Sequence, residues 1–205
     1  RLALALGAEA IEPDIVATRD GELVLRHENE ISGTTDVAER PEFASRRTTR
    51  EIDGQRLTGW FTEDFTWAEL STLRARERLP QVRGASARFD GRYPVLRLRD
   101  LLRLLDEAAP APGTGRPVRL VAEVKHATYF ASIGLPLDEL IAAELAGWST
   151  AQPGRLVVEA FEQSVLLQLR DRGLPAEYVY LLEKAGSPAD LVARYGAAAL
   201  SYAGH

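Results

Sequence analysis

Two acidic side chains stand one residue apart in an apolar segment near the start of the sequence. Residues 10–16 read Ala-Ile-Glu-Pro-Asp-Ile-Val, a composition that favours a strand. Side chains alternate along a strand, so Glu12 and Asp14 are predicted to point to the same face. Because burying two carboxylates without a partner is costly, we expect a cation to lie between them.

A second segment carries the same kind of pattern. Residues 121–125 read Val-Ala-Glu-Val-Lys, which places Glu123 and Lys125 on one face of another predicted strand. Lys125 is a compact cation suited to a phosphate. If this segment meets the first, three carboxylates and one lysine leave an excess of two negative charges, which one divalent cation would balance. Oxygen ligands favour Ca²⁺ or Mg²⁺.

His27 is the one histidine that the sequence brings toward these acids. Residues 18–21, Thr-Arg-Asp-Gly, predict a hairpin turn between strands at 10–16 and 22–27. With Arg19 and Asp20 at the tip, His27 pairs with Glu12 on the same face, whereas a slip of one residue would reverse its face. A metal, a lysine and a histidine around one cavity suit phosphodiester hydrolysis, with His27 transferring a proton.

Each pattern also has a purely structural interpretation. Glu12 and Asp14 match a common surface strand, His27 could cap a hairpin, and the Glu123–Lys125 pair could be a salt bridge at a strand end. The combination favours a site. Glu159 ends another predicted strand and is placed to line the same cavity, while His126 falls on the opposite face from Lys125.

Regular α/β alternation follows the long polar stretch 28–95. Alternating strands and helices predict parallel βαβ units. We therefore predict a TIM-type (β/α)8 barrel, incomplete at both ends, in which the site lies at the carboxyl ends of the strands. A doubly wound sheet of five or six strands is the alternative. The predicted strands are 119–124, 155–161, 177–182 and 197–201, and the helices are 98–108, 137–147, 163–172 and 188–195.

The whole of 1–205 is predicted to be one partial barrel domain, with a long insertion at about 28–95. The insertion contains a predicted helix at 66–78, where Thr66 and Glu69 form a capping-box pattern. Its aromatic residues indicate either a small satellite core or a cap that faces the substrate.

Composition removes several classes of function. The 205 residues carry a net charge of −5, which argues against nucleic acid as a partner. No apolar run approaches the roughly 20 residues of a transmembrane helix. There is no Cys, which excludes disulfides and Cys-ligated metals, and no initiating Met, from which we expect an excerpt of a longer chain.

The motifs resemble those of glycerophosphodiester phosphodiesterases. The resemblance lies in 7–15 (Gly-Ala-Glu-Ala-Ile-Glu-Pro-Asp-Ile), 18–21, 23–27 (Leu-Val-Leu-Arg-His) and 122–125 (Ala-Glu-Val-Lys). It implies a barrel enzyme that hydrolyses a small-molecule glycerophosphodiester to glycerol 3-phosphate and an alcohol. By this resemblance the metal ligands, for Ca²⁺ or Mg²⁺, are Glu12, Asp14 and Glu123, the catalytic acid/base is His27, and Lys125 contacts the phosphate.

The stretch 27–37 and the insertion are similar to the periplasmic and secreted branch of that family, which implies the same location. The family's His-Arg-Gly and Glu-Asn-Thr motifs are missing, and Glu28 stands where the family usually has Asp. The chain alone is therefore expected to be inactive. Two alternatives remain open: a sphingomyelinase or phospholipase D-like barrel enzyme, and a non-catalytic barrel that only binds.

Overall fold

A mixed sheet forms the centre of the protein in the computed structural model, which describes residues 1–182. The strand order is β3-β2-β6-β7-β8, and β1 pairs with β6 beside β2. The pairs made by β6, β7 and β8 are parallel, and β2–β3 is an antiparallel hairpin. The strands of this sheet are β1 (Ala10–Ile11), β2 (Asp14–Ala17), β3 (Leu23–Leu25), β6 (Arg119–Val124), β7 (Leu156–Ala160) and β8 (Glu177–Tyr180). A separate hairpin joins β4 (Thr48–Ile52) to β5 (Gln55–Gly59).

Helices follow the parallel strands, as the sequence predicts for βαβ units. The longest of these helices have apolar residues at helical spacing on the side that packs against the sheet. In α4 these residues are Leu98, Leu101, Leu102 and Leu105. The helices are α1 (Leu2–Ala5), α2 (Trp67–Leu70), α3 (Gly84–Ala87), α4 (Leu98–Asp106), α5 (Ala127–Ser132), α6 (Leu137–Ala151) and α7 (Gln163–Asp171). Three 3₁₀ helices cover Val37–Glu39, Pro41–Arg46 and Thr62–Asp64. The predicted helix 188–195 and strand 197–201 lie outside the described residues.

The predicted strands and helices of the α/β part are confirmed to within a few residues at each end. The strand at 119–124 matches β6, and the strand predicted at 10–16 is present but broken into β1 and β2 at Glu12 and Pro13. Within residues 1–182 the sheet is open, because β3 and β8 form its two edges and do not pair with each other. The helix α5 was not predicted.

The predicted pairing of the β2–β3 hairpin is wrong by one residue. Ile15 pairs with Leu25 and Ala17 with Leu23, so Glu12 and His27 are not partners. The loop has three residues rather than two. Thr18 N–H donates to Glu22 O at 3.0 Å, and Gly21 takes φ +78° in the turn.

The helix predicted at 66–78 ends after one turn. Its capping box is confirmed, since Thr66 N donates to Glu69 Oε2 at 2.9 Å and Glu69 N donates to Thr66 Oγ1 at 3.3 Å. The helix stops because the Thr72 hydroxyl bonds back to a helix carbonyl and Arg74 N–H donates to Asp36 Oδ1 at 2.7 Å. Tertiary pairing therefore overrides local helix preference here.

The insertion shares the core of the sheet. Phe43, Trp60 and Phe65 are buried in the same hydrophobic cluster as β2 and β6. The Phe43 and Phe65 rings meet edge to face, with centroids 5.0 Å apart. These aromatics pack against the body of the protein, whereas Tyr93 is exposed.

Candidate active site

Acidic side chains occupy paired positions on three neighbouring strands, β2, β6 and β7. Asp14 is the direct Cα partner of Glu123, and Glu123 is the partner of Glu159 on the next strand. Glu12 lies in the break between β1 and β2. Because Glu123 and Glu159 stand near the carboxyl ends of β6 and β7, the acids occupy the edge where barrel enzymes hold their active sites.

Three of these carboxylates converge closely. One oxygen from each of Glu12, Glu123 and Glu159 lies within 4.8 Å of the other two. Glu123 is 8% exposed, Glu159 is half-buried and Glu12 is exposed. The sequence had placed Glu159 only as a residue lining the cavity, since which strands become neighbours cannot be read from one strand alone.

Lys125 connects the remaining acid to this group. Its Nζ lies 3.0 Å from Asp14 Oδ1 and 2.5 Å from Glu123 Oε1. It also stands 5.8 Å from the centroid of the Phe161 ring. Glu12 therefore meets Glu123 and Glu159, while Asp14 contacts Lys125. The carboxylates that converge differ from the predicted set of Glu12, Asp14 and Glu123, because Glu159 takes the place of Asp14.

Burial raises the pKa of three of the carboxyl groups at this edge, and their charged neighbours change these values further. Burial raises the pKa of Glu12, and the neighbouring carboxylates raise it further. Burial also raises the pKa of Glu123 against the opposing effect of Lys125, and burial and nearby acids raise the pKa of Glu159. Burial works to lower the pKa of Lys125, but its hydrogen bonds to Glu123 and Asp14 raise it overall.

The residues present fit a hard divalent cation. Carboxylate oxygens within 4.8 Å of one another can reach a common ion, and carboxylates are the ligands that Ca²⁺ and Mg²⁺ prefer. Lys125 supplies one positive charge to four acids, so a cation at this place would relieve their repulsion.

The recorded side-chain contact of His27 is with Glu28 and not with these acids. His27 follows the end of β3, it is exposed, and its Nδ1 lies 2.8 Å from Glu28 Oε1. His27 and Glu28 instead line a neighbouring cavity of about 410 Å³, together with Arg26 and part of the insertion. The shifted hairpin register also means that position 27 is not the cross-strand partner of Glu12.

A second histidine has a carboxylate partner that the sequence did not reveal. His126 Nδ1 lies 2.6 Å from Asp53 Oδ2, at the tip of the β4–β5 hairpin. Both residues have positive φ, 54° and 50°, which is uncommon for residues other than glycine. The contact ties the insertion to the residue directly after Lys125, and nothing in the local sequence signals a partner 73 positions away.

Comparison with known proteins gives the fold first. A solved structure from Silicibacter pomeroyi DSS-3, described as a glycerophosphoryl diester phosphodiesterase, superposes with a TM-score of 0.63 at 23% identity, covering 92% of this chain and 60% of that one. A phosphodiesterase of Oleispira antarctica, solved with the product sn-glycerol-3-phosphate, gives a TM-score of 0.58 at 16% identity, covering 94% and 62%. These likenesses confirm the predicted TIM-type barrel fold, of which residues 1–182 form an open part.

The profile of the Glycerophosphoryl diester phosphodiesterase family matches residues 1–202, and the chain belongs to this family. Glycerophosphodiester phosphodiesterase GDPD6 of Arabidopsis thaliana is 36% identical over 127 residues, which is 62% of this chain and 32% of that protein. A glycerophosphodiester phosphodiesterase of Haemophilus influenzae is 26% identical over 130 residues, 60% and 33% of the two chains. The matched part thus spans about a third of these curated relatives.

Proposed function

We propose that the protein containing this chain is a metal-dependent hydrolase that cleaves glycerophosphodiesters to glycerol 3-phosphate and an alcohol. The observation that carries the proposal is the convergence of Glu12, Glu123 and Glu159 beside Lys125 at the carboxyl edge of the sheet. Membership of the family and the likeness to a structure with bound sn-glycerol-3-phosphate support the same substrate class.

In this proposal the acids hold one Ca²⁺ or Mg²⁺ ion. Glu12, Asp14 and Glu123 are its ligands, and Glu159 adds a carboxylate from the neighbouring strand. When bound, the cation would act as a Lewis acid toward the phosphoryl oxygens. An acidic protein of net charge −5 needs such a positive centre to receive an anionic substrate.

Lys125 and His27 have different tasks. The Lys125 ammonium, steadied by Asp14 and Glu123, would donate hydrogen bonds to the phosphate and neutralise charge as the bond to the alcohol breaks. His27 would transfer a proton at Nε2, while Glu28 holds its Nδ1. The contact with Glu28 fits this role because a carboxylate at one ring nitrogen fixes the tautomer of the other.

We further propose a periplasmic or secreted location, on the similarity of residues 27–37 and the insertion to that branch of the family. No helix among residues 1–182 is long and apolar enough to cross a membrane.

Hydrolysis assays on the full-length protein test the function. Protein stripped of metal with EDTA should show little turnover of glycerophosphocholine and regain it with Mg²⁺ or Ca²⁺. Equal turnover with and without metal would contradict the proposal. Preference for sphingomyelin over glycerophosphocholine would favour the phospholipase alternative, and no turnover of either would favour the binding module.

His27→Ala tests the proton-transfer role separately. We expect a loss of about 100-fold or more in kcat for substrates with a poor leaving group. An activated aryl ester, whose alcohol leaves without a proton, should lose much less. Equal losses on both esters would show that His27 does not protonate the leaving group.

A further inference from the structure

The cavity beside His27 contains buried hydrogen-bond donors that nothing satisfies. Arg26 Nε, Arg26 Nη2 and the Thr34 hydroxyl are all shielded from solvent and have no hydrogen-bond partner in the described structure. All three belong to residues that line the cavity of about 410 Å³. Buried donors without partners are uncommon in folded proteins, so a group of them in two residues that line one cavity suggests a missing acceptor.

Arg26 is the member that a ligand would change most. Its peptide N–H is fixed to Asp14 O at 3.0 Å, but no ion pair within residues 1–182 includes its guanidinium. Burial lowers the pKa of Arg26 to about 10. Buried charges in proteins are normally paired, and a bound anion would supply the pair.

The other arginines at this cavity already have carboxylate partners. Arg78 Nη1 lies 2.8 Å from Glu28 Oε1, and Arg83 Nη1 lies 3.7 Å from Glu77 Oε1. Arg76 is bound to Glu39. Four arginines and two glutamates line the cavity, which leaves it an excess of two positive charges in a protein whose net charge is −5. The other three arginines are thus paired within the fold, whereas Arg26 has no carboxylate partner among residues 1–182.

We propose that this cavity binds a second anionic group, a phosphate or a carboxylate, through Arg26 and Thr34. The inference rests on the proposed function in one respect: because His27 lines the same cavity, the anion would belong to the alcohol half of the diester. The same chemistry could also hold a free phosphate ion from solution. The enzyme would then prefer glycerophosphodiesters whose alcohol carries a further negative charge.

Arginine suits this task because its planar guanidinium can donate two parallel hydrogen bonds to one phosphate or carboxylate. Thr34 adds a hydroxyl donor from the insertion, so the site is built from both parts of the molecule. The insertion therefore gains a function in selecting the alcohol, which is the cap-like role that its length suggested.

Two matched substrates test the selection in the full-length, metal-loaded enzyme. Glycerophosphoglycerol has a neutral alcohol, and the same diester with a terminal phosphate monoester has an anionic one. We expect kcat/KM to favour the anionic substrate by at least about tenfold. Arg26→Gln and Thr34→Val should each reduce that ratio toward one, with the loss confined to the anionic substrate, whereas Arg103→Gln, on the exposed face of α4, should keep it.

Calorimetric titration with inorganic phosphate separates the two sources of the anion. Binding that Arg26→Gln abolishes, without any substrate preference, would support the site with a free ion as its ligand. The inference is overturned if the enzyme shows no preference for the anionic substrate and phosphate binding does not depend on Arg26. If wild-type enzyme hydrolysed neither diester, the proposed function would fail, and the phosphate titration would still decide the anion site. If Arg26→Gln does not fold, the same substrate ratio and phosphate titration are measured with Thr34→Val.

Discussion

Two buried carboxylates, Glu123 in the sheet and Glu63 in the insertion, have similar exposure but opposite surroundings. Glu63 is 6% exposed and accepts hydrogen bonds from Asn29 Nδ2 at 3.0 and 3.1 Å and from the Tyr129 hydroxyl. Arg50 Nε lies 3.7 Å away. Glu123 is 8% exposed and faces Glu12 and Glu159, with one lysine for the group.

Because their surroundings differ, burial has different consequences for the charges of Glu63 and Glu123. Burial raises the pKa of Glu63, but hydrogen bonds from Tyr129 and Asn29 act to lower it, so the fold itself compensates the carboxylate. At Glu123 burial also raises the pKa and Lys125 acts to lower it, but the neighbouring Asp14 adds to the effect of burial. The first carboxylate holds the insertion to α5, whereas the second belongs to a group that, in our proposal, an added cation completes.

The sharpest test of this contrast is removal of one charge at the sheet. Glu123→Gln should lower kcat/KM for glycerophosphocholine by more than about 100-fold, because it removes a proposed metal ligand and a partner of Lys125. Thermal unfolding without metal should change little, since the variant also removes repulsion. Glu51→Gln, exposed on β4, is the matched control and should keep full activity. Near-normal activity of Glu123→Gln would contradict the assigned role.

Removal of Glu63 should have the opposite pattern. Glu63→Ala leaves the amide of Asn29 and the hydroxyl of Tyr129 without their acceptor, and we expect a loss of about 2–4 kcal/mol in the free energy of unfolding. The loss should be the same with and without added cation, measured by urea unfolding. A loss that disappears on adding Mg²⁺ or Ca²⁺ would place Glu63 at the metal site instead.

Replacement of the lysine probes the repulsion directly. Lys125→Met should lower the unfolding free energy of the metal-free protein by about 1–3 kcal/mol, less than for a fully buried pair because Lys125 is only partly buried. Adding Glu123→Gln to this variant should restore part of the loss. If the two losses simply add, the lysine and the acid are not coupled in the way the distances indicate.

The smallest effect on stability is expected for Glu69→Gln, in the capping box of the insertion. A hydrogen bond from Arg46, then one from Thr66, lowers the pKa of Glu69 from 4.5 to about 2. A lowered pKa means that the folded state binds the proton less tightly, so Glu69 stabilises the fold above pH 4.5 and this stabilisation is lost as the pH falls toward 2. The difference in stability between wild type and Glu69→Gln should shrink over that window and stay constant above it. A difference independent of pH would rule out the charge as its cause.

The parts of the fold predicted from sequence are those that local pattern determines. The apolar runs of β6 and β7 and the spacing of leucines in α4 locate these elements, and the capping box marks the start of α2. The alternation of side chains along a strand places Glu123 and Lys125 on one face, and the ion pair between them agrees with this prediction.

The errors arise where distant segments decide the structure. The turn closed by Thr18 and Glu22 holds three residues, which shifts the hairpin by one residue, so that His27 and Glu12 are not cross-strand partners. The close approach of Glu159 depends on β7 lying beside β6, and the buried Arg26 depends on an insertion that begins after it. The spacing of residues within one segment does not show which distant segment will lie beside it.

The measurement that tests the central claim most directly is a titration of EDTA-treated protein with Mg²⁺ and with Ca²⁺, followed by thermal unfolding. Binding to the folded state alone should raise the melting temperature of the wild type in a saturable way. Glu159→Gln should melt higher than the wild type without metal, because repulsion is relieved, and should gain less from added cation. Equal gains in both proteins, or no gain in either, would contradict a metal site built from these carboxylates.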